Sequence, residues 1–258
     1  MIVTRNKIGD MMKLFQMNEA RELIQKERMY QTFEVNLSKK QVIAVVGAGG
    51  KTTSISHLAK ELVSLGKRVV ITTTTHMFLP TECGVLEGNK DQVLKMLDTN
   101  GLAVVGIPCE GEKMTKVSDA FFEWLRTIAD YVLVEADGSK RLPIKVPDKH
   151  EPVLPVDTDL VIVVAGLSCL YHSLQECCHR WKLAMDILNC QETSRITPED
   201  VAKLLSKGYC IKHSIPYKIL LNQCESEEAQ NAVLEIMNEL NKNHISLKNV
   251  VFSSFLLG

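Results

Sequence analysis

Near-continuous runs of Val, Ile, Leu and Ala recur along the chain at 41–46, 68–72, 102–106, 131–135, 160–164 and 218–221, with a last short one at 249–252. Apolar runs of this length, without polar alternation, predict strands buried on both faces. Between them the period changes to that of a helix. Ile55, Leu58, Ala59, Leu62 and Val63 mark one helix over 52–65, and Ala229, Val233, Ile236, Met237 and Leu240 another over 227–240. Residues 91–97, 119–128 and 180–188 carry the same signal. Gly66 predicts the end of the first helix as a C-terminal cap. Thr197-Pro198-Glu199-Asp200 predicts a helix start, with a threonine cap, proline at the first position and acids in the first turn. Ahead of the first strand, residues 8–29 put Leu14, Phe15, Leu23 and Ile24 on one face, predicting a short helical lead-in within about 1–38. A proline-bearing loop is expected over 136–157. Strands alternating with helices predict an α/β fold, a mostly parallel sheet with helices on both faces in three layers, as one domain over 1–258.

The first run leads into Gly47-Ala48-Gly49-Gly50-Lys51-Thr52-Thr53. Three glycines let a backbone turn sharply and approach an anion. The helix that follows offers free N–H groups and a positive dipole end. This pattern predicts a phosphate-binding loop and a P-loop NTPase-like architecture. Lys51 would reach the β- and γ-phosphates of ATP or GTP, and Thr52 would place its hydroxyl on Mg²⁺. The spacing is short of G-x-x-x-x-G-K-[ST], whose first glycine would fall at Val45. The loop resembles that of the Mur peptide ligases more than that of the small GTPases. A dinucleotide fingerprint fails, because Thr52 stands at its third glycine and no acid closes the second strand.

Other polar residues are expected at the same end of the sheet. The second strand runs out as Thr72-Thr73-Thr74-Thr75-His76, whose side chains are expected to line phosphate or substrate. Glu135 and Asp137 end the strand at 131–135; carboxylates at the end of a buried strand need a cation or donors. Either would bind Mg²⁺ beside Thr52, directly or through water, and orient the attacking water. Residues 139–152 hold four Lys or Arg, two acids and three prolines, a solvated face or a clamp for an anionic substrate. Asn222-Gln223-Cys224-Glu225 is distantly similar to the guanine-reading N-K-x-D of GTPases, and a polar turn explains it equally.

Composition narrows the field. The chain has 258 residues, 45% hydrophobic and 24% charged, with formal net charge −1. That balance draws it neither to nucleic acid nor to a membrane. The charged N-terminus and the absence of any apolar run near ~20 residues lead us to expect a cytoplasmic protein. Eight cysteines in a chain of this length do not suggest a disulfide scaffold. Cys177-Cys178-His179 is the one cluster to weigh for metal. Adjacent cysteines on a helix do not converge well on one ion.

The motif series resembles the YqeC family, described as accessory or selenium cofactor biosynthesis proteins of selenium-dependent hydroxylases. It comprises the glycine loop, Thr72–His76, Glu135-Ala136-Asp137-Gly138-Ser139-Lys140, Lys145-x-Pro147, His150-Glu151-Pro152-Val153-x-Pro155, Gly166-Leu167 and His179-Arg180. The resemblance implies a P-loop-type fold and a role in maturing selenium-dependent molybdenum hydroxylases. It implies Lys51 and Thr52 for phosphate and Mg²⁺, Glu135 and Asp137 as the acidic motif, and Lys145, His150, Glu151, His179 and Arg180 in the same cleft. Partners would be a nucleoside triphosphate and either a molybdenum hydroxylase or a selenium or molybdopterin cofactor precursor. An NTP-consuming enzyme is the first expectation; a nucleotide-dependent switch delivering cofactor is the alternative, and a Mur-like ligase a third.

Overall fold

The computed structural model describes residues 12–17, 22–210 and 215–255. Its strands are β1 (Met12–Met17), β2 (Leu23–Lys26), β3 (Gln41–Gly47), β4 (Val69–Thr73), β5 (His76–Phe78), β6 (Gly84–Leu86) and β7 (Leu102–Cys109). They continue with β8 (Lys113–Thr115), β9 (Tyr131–Glu135), β10 (Ile144–Lys145), β11 (Leu160–Gly166), β12 (Cys178–His179), β13 (Tyr217–Asn222) and β14 (Val250–Phe255). The helices are α1 (Met29–Thr32), α2 (Lys51–Ser64), α3 (Lys90–Asn100), α4 (Asp119–Ile128), α5 (Leu174–Cys177), α6 (Trp181–Leu188), α7 (Pro198–Leu205) and α8 (Glu227–Lys242).

One sheet runs in the order β2-β1-β14-β13-β11-β3-β9-β4-β7-β8-β5, with β6 also on β7. From β14 across to β7 every pairing is parallel. The antiparallel pairs lie toward the edges, where β1 meets β14 and β8 meets β7. Strand β3 is buried along its whole length and splits its side chains between two cores. Val42, Ala44 and Val46 pack with residues of α3, α4, α7 and α8. Ile43 and Val45 pack with Ile55, Leu58, Ala59 and Leu62 of α2. The fold is therefore α/β, with helices on both faces of a mostly parallel sheet, as the apolar runs predict. Each fully buried aliphatic side chain contributes roughly 1.5–3 kcal/mol. Among the described residues, no helix is long and apolar enough to cross a membrane.

The lead-in is a correction. Where it is described it forms the hairpin β1–β2 rather than a helix, followed by the short α1; residues 8–11 and 18–21 lie outside the described residues. Period two prevails because β14 offers an edge. Leu14 turns inward at 2% exposure while Phe15 stacks on Phe252, ring centroids 4.9 Å apart. The loop at 136–157 is not wholly irregular either, since β10 pairs in parallel with β12. The start of α7 is as expected, with a full capping box between Thr197 and Asp200.

Candidate functional site

The glycine loop is built so that no other residue fits. Gly47, Gly49 and Gly50 have φ of +97°, +79° and +120°, in the left-handed region. A Cβ on Gly47 would lie 2.1 Å from the Val164 carbonyl oxygen, and one on Gly49 2.4 Å from the Gly166 backbone. β11 thus presses against the loop from one side. The Ala48 N–H donates to the Val164 carbonyl at 2.8 Å. From β13, Asn222 Nδ2 donates to the Gly49 carbonyl at 2.7 Å, and its Oδ1 accepts from Ser253 at 2.6 Å. Asn222 thus holds the loop from β13.

Beyond the loop α2 begins at Lys51, whose side chain is buried and turned back. Its Nζ donates to the Gly47 carbonyl at 2.8 Å and lies 3.2 Å from Asp137 and 3.8 Å from Glu135. The Thr52 hydroxyl donates to Glu135 at 2.8 Å. Burial pushes the Glu135 carboxyl above its usual value, and Lys51 and Thr52 offset only part of this. Glu135 is thus a buried acid at the rim of a cleft of about 1100 Å³.

That cleft collects most of the expected residues. Gly49, Gly50, Lys51, Thr52, Thr53, Thr74, Thr75, His76, Glu135, Glu151, His179 and Arg180 all line it. Thr73 and Thr74 tie the β4 end to the acidic strand: the Thr73 hydroxyl and the Thr74 N–H donate to the Glu135 carbonyl at 2.8 and 3.2 Å. The Thr74 hydroxyl is spent on the Val153 carbonyl at 2.7 Å, whereas that of Thr75 is buried without a partner.

Five expectations change. Gly47 and Ala48 lie off the cleft lining, their N–H groups donated to Asp137 and to the Val164 carbonyl. Asp137 is fully buried beneath the loop and does not face the cleft. β9 stops at Glu135, so the period-two rule no longer puts Asp137 on the same side. Its carboxylate accepts from the Gly47 N–H at 3.0 Å and from Tyr209 at 3.2 Å, and pairs with Lys51 and with Lys145 at 3.1 Å. Lys145 is equally buried and pairs with Glu151 at 2.6 Å. His150 is exposed and lies off the cleft lining, on the outer side of the turn before Glu151.

Thr52, Glu135, Lys51, Asp137, Lys145, Glu151 and Arg180 therefore form one alternating ladder under the cleft. Arg180 closes it with two bonds to Glu151, of 2.6 and 2.7 Å. Burial alone would raise the Glu151 carboxyl, yet Arg180 and Lys145 hold it at about 2. Burial, with Arg180, Lys145 and Lys140 nearby, lowers His179 to about 4, so its imidazole is neutral at pH 7. Tyr209 and Ser253 lie far along the chain from any motif and carried no signal. The cysteine cluster is buried, and burial raises Cys177 to about 11 and Cys178 to about 12. Among the described residues no group of His, Cys, Asp and Glu is arranged to hold a metal by itself.

The family model for YqeC protein matches residues 43–182, more than half of the chain. The chain belongs to the YqeC family. A relative in Escherichia coli (strain K12), the uncharacterized protein YqeC, is 32% identical over 214 residues, covering 77% of this chain and 83% of that one. The stretch matched to the YqeC family contains the loop, the threonine segment, Glu135, Glu151, His179 and Arg180, and ends before Tyr209 and Asn222. Solved structures are similar at a looser level. The MinC:MinD cell division complex of Aquifex aeolicus gives a TM-score of 0.43 at 15% identity, over 78% of each chain. Chloroplast FtsY of Physcomitrella patens gives 0.43 at 14%, over 86% of this chain and 64% of that one.

Proposed function

We propose that the cleft binds a nucleoside triphosphate, ATP or GTP, together with Mg²⁺, and that the protein consumes it while maturing the cofactor of selenium-dependent molybdenum hydroxylases. One observation carries the nucleotide reading: three left-handed glycines deliver the chain to the N-terminus of α2, with Lys51 and Thr52 against a buried carboxylate. Backbone N–H groups there suit phosphate oxygens. Lys51 would leave the Gly47 carbonyl and Asp137 for the phosphates, with Asp137 keeping Lys145 as its cation. The Thr52 hydroxyl and the Glu135 carboxylate are oxygen donors of the kind Mg²⁺ prefers. The two lie 2.8 Å apart on the cleft lining, with Lys51 3.8 Å from Glu135, so the pair fits the ion. Bound there, Mg²⁺ would neutralise charge on the β- and γ-phosphates. Glu135 also stands where it can orient a water. Thr75, His76, His179 and Arg180 face the rest of the cleft and would meet the second substrate. The link to the hydroxylases is supported by family membership and the motif series.

The ion ladder favours a second reading, a nucleotide-dependent switch that delivers cofactor to an apo-hydroxylase. Drawing Lys51 outward removes a cation from Asp137 and leaves Lys145 to rebalance against Glu151 and Arg180. That would carry the state of the loop to residues 144–151.

Phosphate release by the purified protein with Mg–ATP and Mg–GTP tests the enzymatic reading. Turnover that Glu135→Gln lowers by about 10²-fold or more is the expected result. No release with either nucleotide, alone or with cofactor precursors, would overturn it. Mass spectrometry of co-purifying small molecules separates the two readings, since nucleotide alone favours the switch and a second species the enzyme.

A further inference from the structure

The cleft holds more cations than the glycine loop can use. Lys113 of β8, Lys116, Lys140 and Arg141 line its other wall. Among the described residues no ion pair involves Lys113, Lys140 or Arg141, and Lys116 meets only the exposed Asp119, at 3.8 Å. Lys113 lies far from the loop. In the sheet, β8 is four strand steps from β3, roughly 19 Å at the usual spacing. That is well beyond three phosphate groups anchored at Gly50 and Lys51.

The wall also carries a flat apolar surface. Phe78 of β5 is 44% exposed in the cleft, with Arg141 4.3 Å and Lys113 5.7 Å from its ring centroid. A large ring left partly in water beside two cations is a stacking platform. Lys140 and Arg141 are held at φ of 50° and 62°, a left-handed conformation that non-glycine residues adopt at a cost and that gathers at ligand sites. Near Lys140 in the same cleft, His179 offers its neutral imidazole.

We infer that this wall is the site of a second substrate, a small planar molecule bearing a phosphate or carboxylate. The ring stacks on Phe78, and the anion sits among Lys113, Lys116, Lys140 and Arg141. The inference rests on the nucleotide reading for what the second substrate meets across the cleft, but its binding is tested apart from it. The planar shape follows from Phe78 and the Arg141 guanidinium, which both offer faces. The charge follows from Lys113, Lys140 and Arg141, which no carboxylate pairs among the described residues, and from Lys116, whose partner there is the exposed Asp119.

The test is calorimetric titration of the full chain with 1-naphthyl phosphate and with 1-naphthoate, each with and without Mg–ADP. Saturable binding of either probe is expected, to protein with or without nucleotide. Whichever binds identifies the acid group. Arg141→Ala and Phe78→Leu, both altering exposed side chains, should each weaken it about tenfold or more, the scale of one charge-assisted or stacking contact. Affinity for Mg–ADP should stay within about threefold in both variants. The inference is overturned if neither probe binds, if both variants bind as the parent does, or if Mg–ADP displaces the probe. Binding of a probe with this dependence, in a protein that takes no nucleotide, would sustain the wall and sink the nucleotide reading instead.

Discussion

Asp137 joins the loop to the rest of the site. It sits between Lys51 and Lys145, accepts from the Gly47 N–H, and is fully buried. Asp137→Ala would leave two buried ammonium groups without their shared anion. Breaking such a pair costs about 3–5 kcal/mol, so a large fall in denaturant midpoint is expected; a shift below about 1 kcal/mol would contradict the ladder. The ladder also sets an acid response. Glu151 falls from an ordinary 4.5 to about 2 on folding, so its stabilisation is complete above 4.5 and lost as pH falls toward 2. His179 falls from 6.5 to about 4, so the folded state binds its proton less readily and stability drops between pH 6.5 and 4. Both act in the same direction. His179→Gln should flatten the stability profile between pH 6.5 and 4 while leaving the steeper loss below it, as urea melts across pH would show. The sequence pointed to Glu151, His179 and Arg180 only through their family motif. Nothing in local spacing shows that a carboxylate and a guanidinium 29 positions apart meet at 2.6 Å.

At the scale of elements, the turn from β3 into α2 is the most constrained piece of backbone. Gly47→Ala would combine a left-handed φ with a Cβ 2.1 Å from the Val164 carbonyl oxygen. Gly66, which follows α2, has a φ of +74° and nothing within 4 Å of such a Cβ. Gly66→Ala should therefore cost only the left-handed penalty, about 1–2 kcal/mol. Gly47→Ala must also displace β11 and should lower the thermal midpoint several times further. Equal shifts would mean that the loop is not pinned by β11. Long elements were legible because a buried strand and an amphipathic helix each repeat over many residues; β9 and α4 fall at the expected bounds. Strands β5, β6 and β8 have three residues each, too few to show a period. The lead-in misled because Leu14, Phe15, Leu23 and Ile24 satisfy helical spacing while their pairing partner, β14, lies at the other end of the chain.

Across the whole molecule, strand order turns these pieces into a site. β3 lies between β9 and β11 with no strand intervening, so the loop at its end meets Glu135 on one side and the Val164–Gly166 backbone on the other. β4 and β13 bring the threonines and Asn222, and β5 and β8 add Phe78 and Lys113 along one cleft. The glycine loop, the threonine run and Glu135 were readable in advance because each is a contiguous motif at a strand end. Tyr209, Ser253, Phe78 and Lys113 were not, because topology alone brings them in; Lys140 and Arg141 stand in the basic segment read as a solvated face or a clamp. The claim underlying the rest is that a triphosphate is held at Gly47–Thr52. Titration of Mg–ATP and Mg–GTP into the parent and Lys51→Ala proteins tests it most directly. One nucleotide should bind with Mg²⁺-dependent affinity, and the variant should lose about ten- to hundredfold, the worth of a charge-assisted contact of ~1.5–3 kcal/mol. Heat of binding absent for both nucleotides, or affinity that Lys51→Ala leaves unchanged, would contradict the account.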